Sequence, residues 1–584
     1  MIKKKEFSCI GYRLWSMVYR LFCISRRLWS VVCGLSLIHG PLFPKNCIAM
    51  DYGLSTIDSS AFRAVSCRLR SVVRGLTILL TSSFILLTSP TKAQLLTPLS
   101  HEMNRRVEYE MLKSGTPFFT VLKPYIDTQL RGPARQDSLN FFPSSHFQID
   151  SSSNFQIKQN WLRRKLFHES LIQIDSGDYY LFFDPAFDLM LGQDNTGKKI
   201  YSNTRGFTAG GRLGKNFAFG TSFYENQAIF PSWVHKGITN KIITGQGFGR
   251  VNGQTWDYAH ASGYLSFSPV KKLNIQLGQG KNFIGDGYRS LLLSDVAYNY
   301  PYGRITFMNK KWMYSWMLGI IQDLSIPKGN DQYTYAKRLI SSHLLSVNVT
   351  PRIQLSVIKN TVYNNPDTIG RFSPGLAEFN PVMLPVSSSN SHSLWGVNVK
   401  IRVTDRLWGY GQVAIDNLVG DEDIKTAFQA GAKYFDAFGL KGLYLQAEFN
   451  QAGAYTYTST NKTLLWMHYR EPLAHPAGSN FREALCNLVY SWRRWQFSSI
   501  TGFIQPLESV SGPQPKTYGF PVMGNNREIL HSNTQLNWFL NPKTTAHFSL
   551  GYVIHRESIS GAATNNSLVY FAFRTALFNN YLYY

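Results

Sequence analysis

Residues 397–403 read Val-Asn-Val-Lys-Ile-Arg-Val. In an extended chain successive side chains point to opposite faces, so Val397, Val399, Ile401 and Val403 share one side and Asn398, Lys400 and Arg402 the other. The same period of two recurs in both directions. Leu273, Ile275 and Leu277 oppose Lys272, Asn274 and Gln276, and Leu443, Leu445, Ala447 and Phe449 oppose Tyr444, Gln446, Glu448 and Asn450. Ala546, Phe548, Leu550 and Tyr552 oppose His547, Ser549 and Gly551. A last strand over 568–577 sets Val569, Phe571, Phe573, Thr575 and Leu577 against Tyr570, Ala572, Arg574 and Ala576.

A soluble β-sandwich alternates in the same way, so the surroundings of the pattern decide. Arg63, Arg68, Arg70 and Arg74 precede an apolar run from Gly75 to Thr88, and Thr91-Lys92-Ala93 offers small residues for cleavage before Gln94. That order reads as a secretory signal. Only 16% of residues are charged, against roughly 25% in a typical soluble chain, while 14% are aromatic. Beyond Gln94 no apolar run reaches the length of a spanning helix, so an integral mature chain must cross as a closed barrel. The C-terminal Tyr581-Leu582-Tyr583-Tyr584 suits a barrel's aromatic end. The expected fold is therefore all-β: an antiparallel transmembrane outer-membrane β-barrel of roughly 16–18 strands, with a small N-terminal helical periplasmic segment.

The expected organisation is an extension over 1–62, a signal peptide over 63–93, a partly helical periplasmic segment over 94–170 and the barrel over 171–584. Residues 1–62 carry two Arg-Leu-Trp-Ser copies, at 13–16 and 27–30. They read as a start assigned too early, with Met50 one alternative. Two other readings are a long basic n-region and an anchor near 28–39, which is too short to span. Ser100 as N-cap and Gly115 as terminator bracket one helix, and 157–168 suggests a second. Five of the six cysteines precede residue 68, leaving Cys486 without an internal partner. No CxxC pair supports a zinc site.

The net charge is +25. Residues 1–93 hold 13 basic and 3 acidic residues, which leaves about +15 on the mature chain. Basic residues are dispersed and export removes the chain from the cytoplasm, so nucleic acid is not an expected partner. The glycine-rich stretch 278–289 lacks GxxxxGK[ST] and does not open a helix, which excludes a phosphate loop. It reads as a polar turn, with Lys281, Asp286 and Arg289 facing the lumen or a surface, or with Asp286 and Arg289 pairing structurally. His468, Glu471 and His475 lie within eight residues, but Pro472 and Pro476 argue for a loop without ligand geometry. No GxSxG element appears. No metal, cofactor or catalytic turnover is expected. The candidate lumen residues are Lys400 and Arg402, Tyr410, Gln412 and Asp416, and Tyr444, Gln446 and Glu448, read as the polar sides of three sequential strands. Their mixed charges suit a salt-bridged plug, and Tyr410 and Tyr444 suit stacking along a glycan path.

Several stretches together resemble the Wzi capsule-assembly family, including its RemB-like gliding-motility branch in Bacteroidetes. They are 278–305 (GQGKNFIGDGYRSLLLSDVAYNYPYGRI), 223–231 (FYENQAIFP), 376–386 (LAEFNPVMLPV), 410–416 (YGQVAID) and 468–481 (HYREPLAHPAGSNF). The first holds Gly285-Asp286, Leu291 to Ser294 and Tyr300-Pro301-Tyr302. The resemblance implies an 18-strand barrel whose periplasmic end is occluded by a helical segment. It also implies a role in attaching surface or capsular polysaccharide, or in surface motility. The partners it implies are that polysaccharide, outer-membrane lipid, and capsule-export or motility proteins. A diffusion porin is the alternative, and an outer-membrane hydrolase a third reading.

Overall fold

The computed structural model describes residues 94–115, 118–127, 160–328, 331–364, 391–418, 424–509, 520–575, 579 and 581. The signal and start readings, and the stretch 376–386, lie outside them.

Eighteen antiparallel strands close into one barrel. In chain order they are β1 Tyr179–Asp194, β2 Lys199–Leu213, β3 Phe217–Ile229, β4 Thr255–Val270, β5 Leu273–Gly280, β6 Tyr300–Met308, β7 Trp312–Lys328, β8 Asp331–Asn348 and β9 Ile353–Asn364. The second half comprises β10 Ser391–Arg402, β11 Leu407–Asp416, β12 Lys425–Phe435, β13 Leu443–Ala452, β14 Phe481–Trp492, β15 Trp495–Pro506, β16 Arg527–Asn541, β17 Ala546–Ile559 and β18 Ala562–Arg574. The ring closes where β18 pairs with β1, from Leu568 opposite Asp194 to Arg574 opposite Asp188. Closure leaves no sheet edge and satisfies every ladder group, the condition for strands to cross lipid.

The expected faces are those observed along most of these strands, although Ala546, grouped with Phe548, Leu550 and Tyr552, is buried beside a register shift between Phe539 and Asn541. Asn398 is fully buried while its neighbour Val397 is 38% exposed, and Ile401 is likewise exposed. Around the ring Leu191, Leu265, Leu277, Phe449, Leu550 and Phe571 all point outward, and outside a barrel such a surface suits lipid chains. Exposed aromatics gather at one rim: Tyr179, Phe217, Trp312, Phe438, Trp492 and Trp495, each at or next to a short turn. That is the position of an interfacial belt. Cys486 is free and faces outward. Among the described residues no helix is long and apolar enough to cross a membrane.

Both ends of the barrel strand set, Tyr179 and Arg574, lie on this short-turn side, the periplasmic side of such barrels. The N-terminal helix α1, His101–Ser114, begins at Ser100, whose hydroxyl accepts from the Met103 N–H, and stops at left-handed Gly115. α1 packs in the short-turn mouth through Val107, Tyr109, Met111 and Leu112 against Trp408, Phe435, Tyr444 and Val489. A second helix, α2, covers Trp161–Phe167.

Three expectations need correction. The last strand begins at Ala562, because a tight turn after Ile559 continues the ladder, and Thr575, placed on the outer face, is buried beyond the strand's end against Phe187. The residues Lys400, Gln412 and Glu448 do not come from three sequential strands: β12 intervenes and adds Gln429 and Lys433 to the lumen face. Its small residues Ala427, Ala430, Gly431 and Ala432 blur the two-residue hydropathy pattern. Finally, 278–289 is not a turn between neighbouring strands but the start of a segment that dives into the lumen.

Candidate functional site

Residues 281–299 leave the loop end of β5 and fold down into the barrel before β6 begins. The cause is apolar: Leu291, Leu292 and Leu293 sit fully buried in a lumen core with Tyr300, Met313, Ile340, Ile358 and Leu394. Glycines on both sides of the contact make room, Gly396 on the wall and Gly287 on the segment itself. A Cβ on Gly396 would stand 2.4 Å from the Leu292 side chain, and one on Gly287 would stand 2.6 Å from the Glu448 carboxylate.

Wall side chains then satisfy the segment's backbone, as a buried chain without a sheet partner requires. Glu448 accepts from the Tyr288 N–H at 2.6 Å, the Arg289 N–H at 3.0 Å and the Tyr410 hydroxyl at 2.7 Å. Gln412 accepts from the Leu291 N–H at 2.7 Å and donates to the Ile284 carbonyl at 3.2 Å. Gln429 donates to the Arg289 carbonyl at 3.0 Å. Asn398 donates to Asp286 at 2.7 Å, and Arg289 pairs with Glu483 at 3.2 Å. Lys281 donates to the carbonyls of Gly245 and Asp295, both at 2.9 Å.

A second inward loop, 453–480, braces the first. The Leu473 carbonyl accepts from the Ser294 N–H at 2.7 Å, and the Tyr457 hydroxyl donates to the Leu291 carbonyl at 2.9 Å. Asp416 holds this loop, accepting from the Tyr457 N–H at 2.7 Å while lying 2.5 Å from His392. His468, Glu471 and His475 serve the same bracing. His468 accepts from the Gln322 N–H, Glu471 accepts from the Gly245 and Tyr298 N–H groups, and His475 meets Glu483 at 2.8 Å. Among the described residues no group of His, Cys, Asp and Glu has the arrangement of a metal site.

From the short-turn side the N-terminal segment rises to meet this plug. Leu122–Lys123 pairs antiparallel with Phe283–Ile284 inside the barrel. The Lys123 ammonium donates to the Gly285 carbonyl at 2.5 Å, and Lys400 donates to Thr120 at 2.8 Å and to the Phe118 carbonyl at 3.3 Å. Burial pulls the Lys123 pKa down to about 8, with Lys433 adding to the effect. Burial acts against charge on Asp286, but Lys400 and Lys123 outweigh it and hold its carboxyl below the usual range. α1 is fixed by Glu108, 2.8 Å from Lys433, and by Tyr109, whose hydroxyl donates to Asp436 at 2.7 Å.

Within α1, Glu102 meets Arg105 and Arg106, each at 2.6 Å. Burial opposes its charge, yet the two guanidinium groups keep its pKa below the ordinary carboxylate value. A depressed carboxylate contributes stability that is complete above its unfolded pKa, about 4.3, and declines as pH falls toward the folded value. Glu102→Gln should therefore lower the unfolding temperature of the docked helix at pH 7. Its deficit from the native protein should narrow below about pH 4.3. Hydrogen exchange of α1 measured from pH 7 to pH 3 checks this; a deficit that does not change with pH would refute it.

The sequence candidates thus divide. Asp286, Arg289, Lys400, Tyr410, Gln412, Asp416 and Glu448 hold plug and N-terminal segment to the wall. Arg402 sits at the short-turn rim, 2.8 Å from exposed Asp405. Tyr444 donates to Gln446 at 3.0 Å, and both border a cavity of about 410 Å³ that the plug leaves against β1–β4 and β12–β18. Lys281 borders a second cavity, of about 200 Å³, with Asp295, Asn299 and Tyr302. Sequence reasoning missed most of the larger cavity's wall, notably His531, Asn533, Gln535 and Asn537 of β16. Their signal was present: polar residues at every second position of 531–537, opposite Leu530 and Leu536.

No family profile and no curated protein matches the chain. Among solved structures it is similar to OprD and OpdK of Pseudomonas aeruginosa. The identities are 7% and 9%, over 67% of this chain and 94% and 97% of theirs, with a TM-score of 0.38 for both. It is also similar in fold to Wzi of Escherichia coli, an outer-membrane protein involved in group 1 capsule assembly and a carbohydrate-binding β-barrel. That match has 10% identity over 82% of this chain and 99% of that one, with a TM-score of 0.50.

Proposed function

We propose that this protein is a non-enzymatic outer-membrane barrel that attaches or organises surface polysaccharide, serving capsule assembly or gliding motility. The observation that carries the reading is the lumen, filled from both ends by segments that hydrogen-bond to each other and to the wall. A diffusion porin needs a continuous aqueous path, and here Leu122–Lys123 and Phe283–Ile284 meet across the interior. The fold likeness to a carbohydrate-binding barrel supplies the ligand class. A filled barrel acts as a rigid platform whose loop surface binds a repeating polymer weakly at many points, so that avidity carries the affinity of that surface.

Two measurements test it. Purified protein in planar bilayers should give little conductance, whereas porin-like conductance would return the channel reading. Deleting the gene should shift polysaccharide from the cell-bound to the shed fraction or reduce colony spreading. If neither changes while uptake of small solutes falls, the proposal is wrong. The charge of about +15 contributes only if high salt weakens retention.

A further inference from the structure

The larger cavity has a chemistry that holding the plug does not explain. Along β16 four successive lumen-facing positions, His531, Asn533, Gln535 and Asn537, carry amides or an imidazole and no carboxylate or ammonium. Of the charges that border the space, Arg574 pairs with Asp188 at 2.9 Å, Arg105 with Glu102 at 2.6 Å and Lys433 with Glu108 at 2.8 Å, while the Lys123 ammonium has no carboxylate and is turned onto the Gly285 carbonyl at 2.5 Å. Aromatic rings complete the lining, among them Tyr258, Tyr288 and Tyr570. On the loop side an apolar cluster including Phe230, Val234 and Leu568 roofs it.

Two polar groups there are unspent. The Gln535 amide makes no hydrogen bond among the described residues. The Trp233 indole N–H is buried, with the residue only 8% exposed, and has no acceptor among them. A buried donor without a partner has lost its water and gained nothing in return, so such a group calls for a ligand atom or water.

We propose that this cavity binds an uncharged sugar unit of one or two rings; the inference rests on the polysaccharide reading above. An ionic ligand would need a free charge, and the bordering charges are engaged, three in ion pairs and Lys123 on the Gly285 carbonyl. A purely apolar ligand would bury the amides without partners. A polyhydroxylated ring answers both: amides supply donors and acceptors to hydroxyls, and aromatic rings cover its C–H faces. The volume, about 410 Å³, lies in the range of about 300–1,000 Å³ typical of small-ligand sites and sets the limit at a short unit.

The test uses the whole protein in a detergent without a sugar headgroup, titrated with maltose, cellobiose and lactose to about 10 mM and followed by saturation-transfer NMR. Glucuronic acid serves as the charged control. At least one neutral disaccharide should bind. Asn533→Trp, which fills the cavity, should weaken it at least tenfold, and Gln535→Leu, which removes the free amide, should weaken it measurably. Should Asn533→Trp not fold, Ser498→Phe fills the space from β15. Binding of none of the neutral sugars, or binding that both variants leave unchanged, overturns the proposal. The parent reading fails separately: it falls if gene deletion changes neither the cell-bound polysaccharide nor colony spreading, whatever the disaccharides do, whereas polysaccharide shed on deletion with no disaccharide binding removes the cavity site alone.

Discussion

Glu448→Ala should convert a closed barrel into a leaky one without unfolding it. The carboxylate is the acceptor for two backbone N–H groups of the plug, at Tyr288 and Arg289, and for the Tyr410 hydroxyl. Alanine removes the acceptor of all three, and of the Asn450 amide, which donates to the same carboxylate at 2.9 Å. Each orphaned donor costs about 1–3 kcal/mol, reduced by whatever water enters. The loss falls on segment 281–299, because β13 keeps its ladders with β12 and β14 whichever residue fills position 448. The expected readings are greater single-channel conductance and faster hydrogen exchange at Tyr288 and Arg289, with heat-modifiability on gels unchanged. Glu448→Gln should fall between, since one of its two positions still accepts. Unaltered conductance together with unaltered exchange at both amides would refute this account of the plug.

The second large effect belongs to the wall. Val399→Arg puts a guanidinium on the lipid face between outward Val397 and Ile401. The cost is about 2–4 kcal/mol near the bilayer midplane and falls toward the interfaces. Lys400→Gln, one residue away, points into the lumen. It removes the ammonium that holds Thr120 and Phe118, so it should loosen the N-terminal segment and leave barrel assembly intact. The folded, heat-modifiable fraction of each variant is the measurement. Assembly lost in Lys400→Gln and kept in Val399→Arg would reverse the assignment of faces. The pair is informative because neighbouring residues of one strand experience lipid on one side and a packed polar interior on the other.

The plug brings together stretches that lie far apart in sequence. Three of the stretches, 278–305, 410–416 and 468–481, meet in the lumen: Gln412 accepts from Leu291, and Leu473 accepts from Ser294. The lumen therefore imposes its own demands on these stretches. Glycine is needed where Gly396 admits Leu292, and carboxylates and amides are needed opposite backbone groups that no strand pairs.

The sequence by itself determined the barrel and its two faces. A period of two is a local property, and each residue of 397–403 declares its side through its nearest neighbours alone. The ends of α1 were legible for the same reason: Ser100 and Gly115 act on atoms within one turn. Only the tertiary structure decided what the polar face meets. Gln412, Gln446 and Asn533 look alike along their strands, yet one clamps a loop more than a hundred residues away, one orders a neighbouring tyrosine and one lines open space. The reason is physical: a lumen-facing amide has the same hydropathy whether it meets water, backbone or ligand, and contacts between inward loops and a distant wall leave no period in the chain.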